Sequence, residues 1–127
     1  MKKQDLPLSP HLQIYKPQIT SLLSISHRIS GVALNFVLVI LVLGLLCITL
    51  GESYFELLIS LITFFPIKII IFLAILGFSY HFLNGIRHII WDFGFLLGNR
   101  SSAIFGYIII ATSFISSILI SRLLGLF

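Results

Sequence analysis

Three apolar runs, each long enough to cross a lipid bilayer, constrain this chain more than any other feature of its sequence. They cover residues 29–50, 64–90 and 102–126. A helix needs about 20 residues to cross a hydrocarbon core about 30 Å thick, and each run is longer than that. Only 9% of the residues are charged, whereas a soluble domain carries about 25%. The sequence therefore predicts an all-α integral membrane protein built as a bundle of three transmembrane helices.

Prolines and polar segments predict the boundaries of these helices. Residues 1–18 form a polar arm whose three prolines disfavour a continuous helix. The rest of the chain, 19–127, is expected to be a single membrane domain. Its helices are predicted at about 20–50, 64–91 and 102–126. The segment 51–60 is interpreted as a short exposed connection, and Pro66 suits the first turn of the second helix.

The basic residues are divided unequally between the two ends of the predicted helices. One end has Lys2, Lys3, Lys16, Arg28, Arg87 and Arg100, and the other has Lys68 and Arg122. Cytoplasmic segments of membrane proteins carry the excess of basic residues. The N-terminus and the loop at 92–101 are therefore predicted on the cytoplasmic or matrix side of a bacterial or mitochondrial inner membrane, with the C-terminus opposite. The positive charge is assigned to this asymmetry and not to nucleic-acid binding.

One stripe of the second predicted helix is small and polar, while the other positions carry bulky aliphatic residues. At 3.6 residues per turn, the stripe is roughly 100° wide. Its members are Ala74, Gly77, His81, Asn84, Gly85, His88 and Asp92. A polar side chain in lipid normally faces protein, cofactor or water, and the small residues leave room for a large group. A neutral imidazole of His81 aimed into that room is a candidate ligand for a metal or a haem.

His88 lies two turns beyond His81 on this stripe, about 10 Å away along the helix axis. That separation is too large for both imidazoles to bind one metal ion. It suits one axial haem ligand and one group near the haem propionates or a substrate. A hydrogen-bonded contact between helices is the alternative interpretation of either histidine.

A second polar group begins the first predicted helix. Ser24, His27, Arg28, Gly31 and Asn35 project within about 100° of one another. A serine hydroxyl and a guanidinium can both donate hydrogen bonds to a carbonyl oxygen, and the guanidinium can also bind an acid group. A quinone head group or a haem propionate matches these donors. An arginine that snorkels to the membrane interface is the alternative.

Two parts of the sequence carry motifs of a known family. Residues 9–15, SPHLQIY, followed by residues 24–31, SISHRISG, resemble a signature of the cytochrome b556 subunits of succinate dehydrogenase. Residues 80–94, YHFLNGIRHIIWDFG, look like the second signature of that family, H-x3-G-x-R-H-x3-D. The resemblance extends from about residue 6 to the end of the third helix, with no departure at a motif position.

The resemblance implies a role for each of these residues. His81 would be one axial ligand of haem b, and the other would come from a second membrane anchor subunit. Ser24 and Arg28 would line the ubiquinone site, while His27 and His88 would lie near the haem propionates or the quinone. The chain would be part of a larger hetero-oligomeric anchor for an iron–sulfur subunit and a flavoprotein subunit, which together pass electrons from succinate to ubiquinone.

Other classes of membrane protein are weighed against this one. In a non-catalytic membrane scaffold without haem, the polar stripes would serve only for contact between helices. A di-haem cytochrome needs four axial ligands, and His81 alone is well placed at mid-membrane, which disfavours that class. The chain has a single cysteine, Cys47, and no flavin, nucleotide or iron–sulfur motif, so it is not expected to oxidise succinate by itself.

Overall fold

The computed structural model describes residues 16–127, which form four helices. Helix α1 is Ile19–Thr49, α2 is Glu52–Thr63, α3 is Phe65–Asp92 and α4 is Asn99–Leu123. Helices α1, α3 and α4 are long and apolar enough to cross a membrane, which confirms the predicted all-α fold with three spanning helices. Their ends lie within about three residues of the predicted ends. Residues 1–15 lie outside the described residues, so the polar arm and its separation from the membrane domain stay predictions.

The segment 51–60 is largely exposed and connects two spans, as the sequence predicts, but it is helical and not a short loop. It folds as α2, a helix of 12 residues. Gly51 makes the turn into α2 with a φ of 119°, a conformation that favours glycine. Glu52, Glu56 and Ser60 share one side of α2, and the remaining positions are largely aromatic and aliphatic. The two glutamates therefore mark the polar side of an amphipathic helix.

Proline and glycine explain where the later helices begin and end. Pro66 lies in the first turn of α3. Because proline has no N–H to donate to the preceding turn, α2 cannot continue through it, and the chain breaks at Phe64 in an extended conformation. Gly125 closes α4 with a φ of 65°. The N–H of Leu126 then donates to the carbonyl of Ser121 at 2.9 Å, which satisfies one carbonyl of the last turn.

The interior of the bundle is polar and small, and most large apolar side chains face outward. Within residues 16–127, Leu23 and Ile109 are the only buried hydrophobic side chains. The buried polar residues are Ser79, Asn84, Arg87, Ser102, Ser113, Ser117 and Ser121. In lipid, helices associate through close packing and polar contacts and not through the hydrophobic effect. This distribution is the one that a bundle surrounded by lipid requires.

Gly106 on α4 allows α1 to approach closely. A Cβ atom at this position would overlap Cδ1 of Leu23 and lie 3.8 Å from Nη2 of Arg87. We expect Gly106→Leu to lower the free energy of unfolding by about 1–3 kcal/mol, the usual cost of overpacking a core. Gly77→Leu is the matched control, because a Cβ atom there meets nothing within 4 Å. Thermal unfolding of both variants in one detergent measures the difference, and equal melting temperatures would contradict this packing.

Candidate functional site

Three histidines meet where α1 packs against α3. The imidazole rings of His27 and His81 stack with 4.1 Å between their centroids, and the ring of His88 lies 5.1 Å from that of His27. The sequence predicts His81 and His88 on one stripe of α3, but it does not predict that His27 contacts both. Among residues 16–127, no group of three histidine, cysteine or acidic side chains is placed to hold a metal ion. The cluster is therefore not a three-ligand metal centre.

A glycine on α1 permits this contact between imidazole rings. A Cβ atom on Gly31 of α1 would lie 2.9 Å from Cε1 of His81. A Cβ atom on Gly85 of α3 would lie 3.9 Å from Nε2 of His27. The imidazoles of His81 and His27 thus occupy the space beside Gly31 and Gly85, whereas a Cβ atom on Gly77 would meet nothing within 4 Å.

The hydrogen bonds of His81 determine which of its ring nitrogens carries the proton. Nδ1 lies 3.1 Å from the carbonyl oxygen of His27 and 3.2 Å from the hydroxyl oxygen of Ser30. The Ser30 hydroxyl donates its own proton to the same carbonyl at 2.9 Å. Both neighbours of Nδ1 act as acceptors, so neutral His81 carries its proton on Nδ1 and a lone pair on Nε2. No hydrogen bond from residues 16–127 reaches that Nε2.

A second carbonyl group of α1 is held by side chains of α3. The Tyr80 hydroxyl donates to the carbonyl oxygen of Leu23 at 2.7 Å, and the Asn84 amide reaches the same oxygen at 3.5 Å. These bonds fix the first turns of α1 directly before Ser24. Asn84 therefore donates a hydrogen bond to the backbone of α1, although the sequence places it on the same stripe of α3 as His81 and His88. The hydroxyl of Tyr80 inside an apolar run was the available signal for this contact.

Ser24 and Arg28 are not part of the histidine cluster. Ser24 is half-buried and Arg28 is exposed. Arg28 lies beside an apolar surface of α1 formed by Ile29, Val32 and Phe36. Within the described part of the chain, neither side chain makes a hydrogen bond or an ion pair. Arg28 faces away from the bundle, where a ligand or another subunit can reach it.

Arg87 lies inside the bundle, a placement that the sequence analysis does not predict. It is interpreted as a cation beside the second loop, but its side chain is completely buried. Its guanidinium donates to the carbonyl and the hydroxyl of Ser102 on α4, at 3.1 and 2.9 Å, and to Oδ1 of Asn84 at 3.3 Å. It also lies over the ring of Trp91, 4.1 Å from the centroid. An arginine three residues before the end of an apolar run, next to a histidine, was the signal that could have indicated burial.

Three buried nitrogen atoms near this cluster have no hydrogen-bond partner within residues 16–127. They are Nε2 of His27, Nε of Arg87 and Nε1 of Trp91. Buried polar atoms are normally satisfied, and each one left unpaired costs about 1–3 kcal/mol. These atoms are available to a group that the described residues do not supply.

Comparison with known proteins identifies the family of this chain. Residues 2–120 match the family model described as the succinate dehydrogenase/fumarate reductase transmembrane subunit. The chain belongs to this family. A relative from Rickettsia typhi, named succinate dehydrogenase cytochrome b556 subunit, is 42% identical over 114 residues, which cover 90% of this chain and 89% of the relative.

Relatives from eukaryotes are similar to this transmembrane subunit to the same degree. Those of Chondrus crispus and Marchantia polymorpha are both named succinate dehydrogenase cytochrome b560 subunit, and both are 44% identical. The matches cover 76% and 75% of this chain, and 78% and 73% of the relatives. The family that the two sequence motifs indicate is thus confirmed. The chain is a membrane subunit of a succinate dehydrogenase or fumarate reductase complex, while the roles of the individual site residues stay predictions.

Proposed function

We propose that this transmembrane subunit binds haem b and ubiquinone in succinate dehydrogenase and carries electrons from the iron–sulfur subunit to ubiquinone. The observation that carries the proposal is the hydrogen bonding of His81. Its Nδ1 donates to the carbonyl oxygen of His27, and its Nε2 keeps a lone pair. Histidines that ligate a metal are oriented in this way by a hydrogen bond from the other ring nitrogen. The cytochrome names of the relatives point to the same cofactor.

The donors of this chain are suited to one axial bond to haem b. His81 would supply that bond, and a second membrane anchor subunit would supply the other. Haem b, when bound, accepts and returns single electrons. The unpartnered Nε2 of His27 can donate a hydrogen bond to a propionate or to the quinone, and His88, which contacts His27, can do the same.

Ser24 and Arg28 would bind the head group of ubiquinone from the outer side of α1. The Ser24 hydroxyl can donate to a quinone carbonyl oxygen. The guanidinium of Arg28 is a permanent cation, so it stabilises the negative charge that this oxygen gains on reduction. Neither side chain is committed to a hydrogen bond or an ion pair in residues 16–127, which leaves both free for this purpose.

The subunit would act only within a complex, because succinate oxidation needs groups that its sequence lacks. The expected partners are the second membrane anchor subunit, the iron–sulfur subunit, the flavoprotein subunit and the surrounding lipid. Purification in a mild detergent through a tag on this chain tests the assignment. All three protein partners should co-purify with succinate–ubiquinone reductase activity. Recovery of the chain without an iron–sulfur or flavoprotein subunit would contradict the proposal.

A membrane scaffold without haem is the second candidate. The rings of His27 and His81 stack directly, with 4.1 Å between their centroids, which favours this candidate. Two imidazoles in contact can simply pack α1 against α3 without binding a cofactor. Haem content of the purified complex separates the two candidates, since a scaffold needs none.

The proposed orientation places the N-terminus and the loop after α3 on the cytoplasmic or matrix side. With Arg87 inside the bundle, that side still holds Lys16, Arg28 and Arg100, and basic residues resist translocation. We expect a reporter that is active only in the cytoplasm or matrix to work when it is inserted at 93–98 and to be silent at the C-terminus. The reverse result would invert the topology and separate the proposed quinone site from the iron–sulfur subunit.

A further inference from the structure

Arg87 carries a charge that no acidic side chain of residues 16–127 neutralises. The chain has four acidic residues, of which Asp5 lies outside the described residues. Glu52 and Glu56 lie on α2, at the opposite ends of α1 and α3. Asp92 is exposed and makes no ion pair with any described residue. The guanidinium is nevertheless completely buried.

The groups that surround this guanidinium are polar but neutral. They are the carbonyl and hydroxyl of Ser102, Oδ1 of Asn84 and the face of the Trp91 ring. An arginine stays protonated in proteins, and buried charges are normally paired because desolvation is costly. Neutral partners reduce that cost without cancelling the charge. A net positive field therefore extends from Arg87 into surroundings of low dielectric constant.

This field reaches the histidine cluster. The Trp91 ring under the guanidinium meets the ring of His88 edge-on at 5.2 Å, and His88 contacts His27. Arg87 and His81 are six residues apart on α3, which corresponds to about 9 Å along the helix axis. At such a distance two charges interact appreciably inside a protein, and salt screens a buried charge only weakly.

We propose that the positive charge of Arg87 favours the reduced, more negative state of the redox group held at His81. This inference rests on the proposed binding of haem b. An arriving electron adds one negative charge near His81, and Arg87 supplies the positive charge that no carboxylate of the described chain has cancelled. Cancelling the charge of Arg87 should therefore lower the midpoint potential of the haem.

Two substitutions at Ser102 separate the charge of Arg87 from its structural contacts. Ser102→Asp places a carboxylate beside the guanidinium, which stays in position while its field is cancelled. Ser102→Asn has nearly the same size without the charge, and it is the matched control. In a redox titration of the assembled complex followed at the haem absorbance, S102D should lower the ratio of reduced to oxidised haem at the wild-type midpoint on the order of tenfold. The S102N complex should titrate like the wild type.

A second pair of variants removes the cation itself. Arg87→Gln should shift the titration in the same direction as S102D, whereas Arg100→Gln should not, because Arg100 is exposed to solvent and its field is screened. Equal midpoint potentials in the S102D and S102N complexes, both with full haem content, would overturn the proposal. A wild-type complex without haem b would instead refute the proposed function and this inference with it.

Discussion

His81→Ala should deplete haem b from the assembled complex by more than about tenfold. Loss of a group that only orients a metal ligand typically costs 10–100-fold in metal affinity, and loss of the ligand itself removes the bond outright. Within residues 16–127, His81 is the histidine of α3 whose Nδ1 is fixed by a backbone carbonyl, which would leave Nε2 for the iron of the proposed haem. The ratio of haem to flavin in the purified complex measures the effect.

His88→Ala is the comparison variant for this experiment, because it removes a proposed hydrogen-bond donor and not the proposed iron ligand. It removes an imidazole from the same helix and the same histidine cluster, but His88 contacts the rings of His27 and Trp91 and not that of His81. This variant should therefore keep most of its haem, with at most a small spectral shift. A His81→Ala complex with full haem content and an unchanged low-spin spectrum would show that another residue ligates the iron.

Arg28→Leu should lower succinate–ubiquinone reductase activity about ten- to hundredfold, because in the proposed quinone site it removes a charge-assisted donor worth about 1.5–3 kcal/mol. Ser24→Ala should act in the same direction with a smaller effect. Succinate oxidation with an artificial electron acceptor should be retained, since in the proposed complex the soluble subunits perform it without the quinone site. The ratio of the two activities is the measurement.

Arg122→Leu is the control for Arg28→Leu, because it removes an exposed arginine from the last turn of α4, at the opposite end of the bundle. Its two activities should match those of the wild type. An equal loss of both activities in the Arg28→Leu complex would indicate failed assembly in place of a damaged quinone site.

Hydropathy alone predicts the three spans, because each is longer than a bilayer crossing requires. It does not predict α2, because a helix of 12 residues is too short to span and resembles a loop when charges interrupt it. The spacing of Glu52 and Glu56, one helical turn apart, was the signal available. The other positions of α2 are largely aromatic and aliphatic. The pattern is therefore that of a short amphipathic helix between two membrane-spanning helices.

Helical periodicity predicts which residues share a face, but not which residues meet across two helices. His81 and His88 could be placed on one stripe of α3, yet the contact of both with His27 depends on the axial offset between α1 and α3. That offset is set by the close approach at Gly31 and by the Tyr80 hydroxyl on a carbonyl of α1. The contact between the Ser30 hydroxyl and Nδ1 of His81 depends on the same axial offset. Helical periodicity therefore could not predict it.

Arg87 shows a different limit of sequence analysis. Arginines near the end of a spanning helix usually reach the interface, so the positive-inside rule counts Arg87 with the loop. Ser102 at the start of α4 offers a carbonyl and a hydroxyl together, which turns the guanidinium inward. Only the packing of α3 against α4 reveals that arrangement.

The dithionite-reduced minus oxidised absorption spectrum of the wild-type complex, purified through this chain, tests the central claim most directly. The proposed site predicts a b-type spectrum with one haem for each copy of the chain, because His81 would supply one axial ligand and a second anchor subunit the other. A complete complex that reduces ubiquinone with succinate but shows no b-type absorption would contradict the assignment of His81 as a haem ligand.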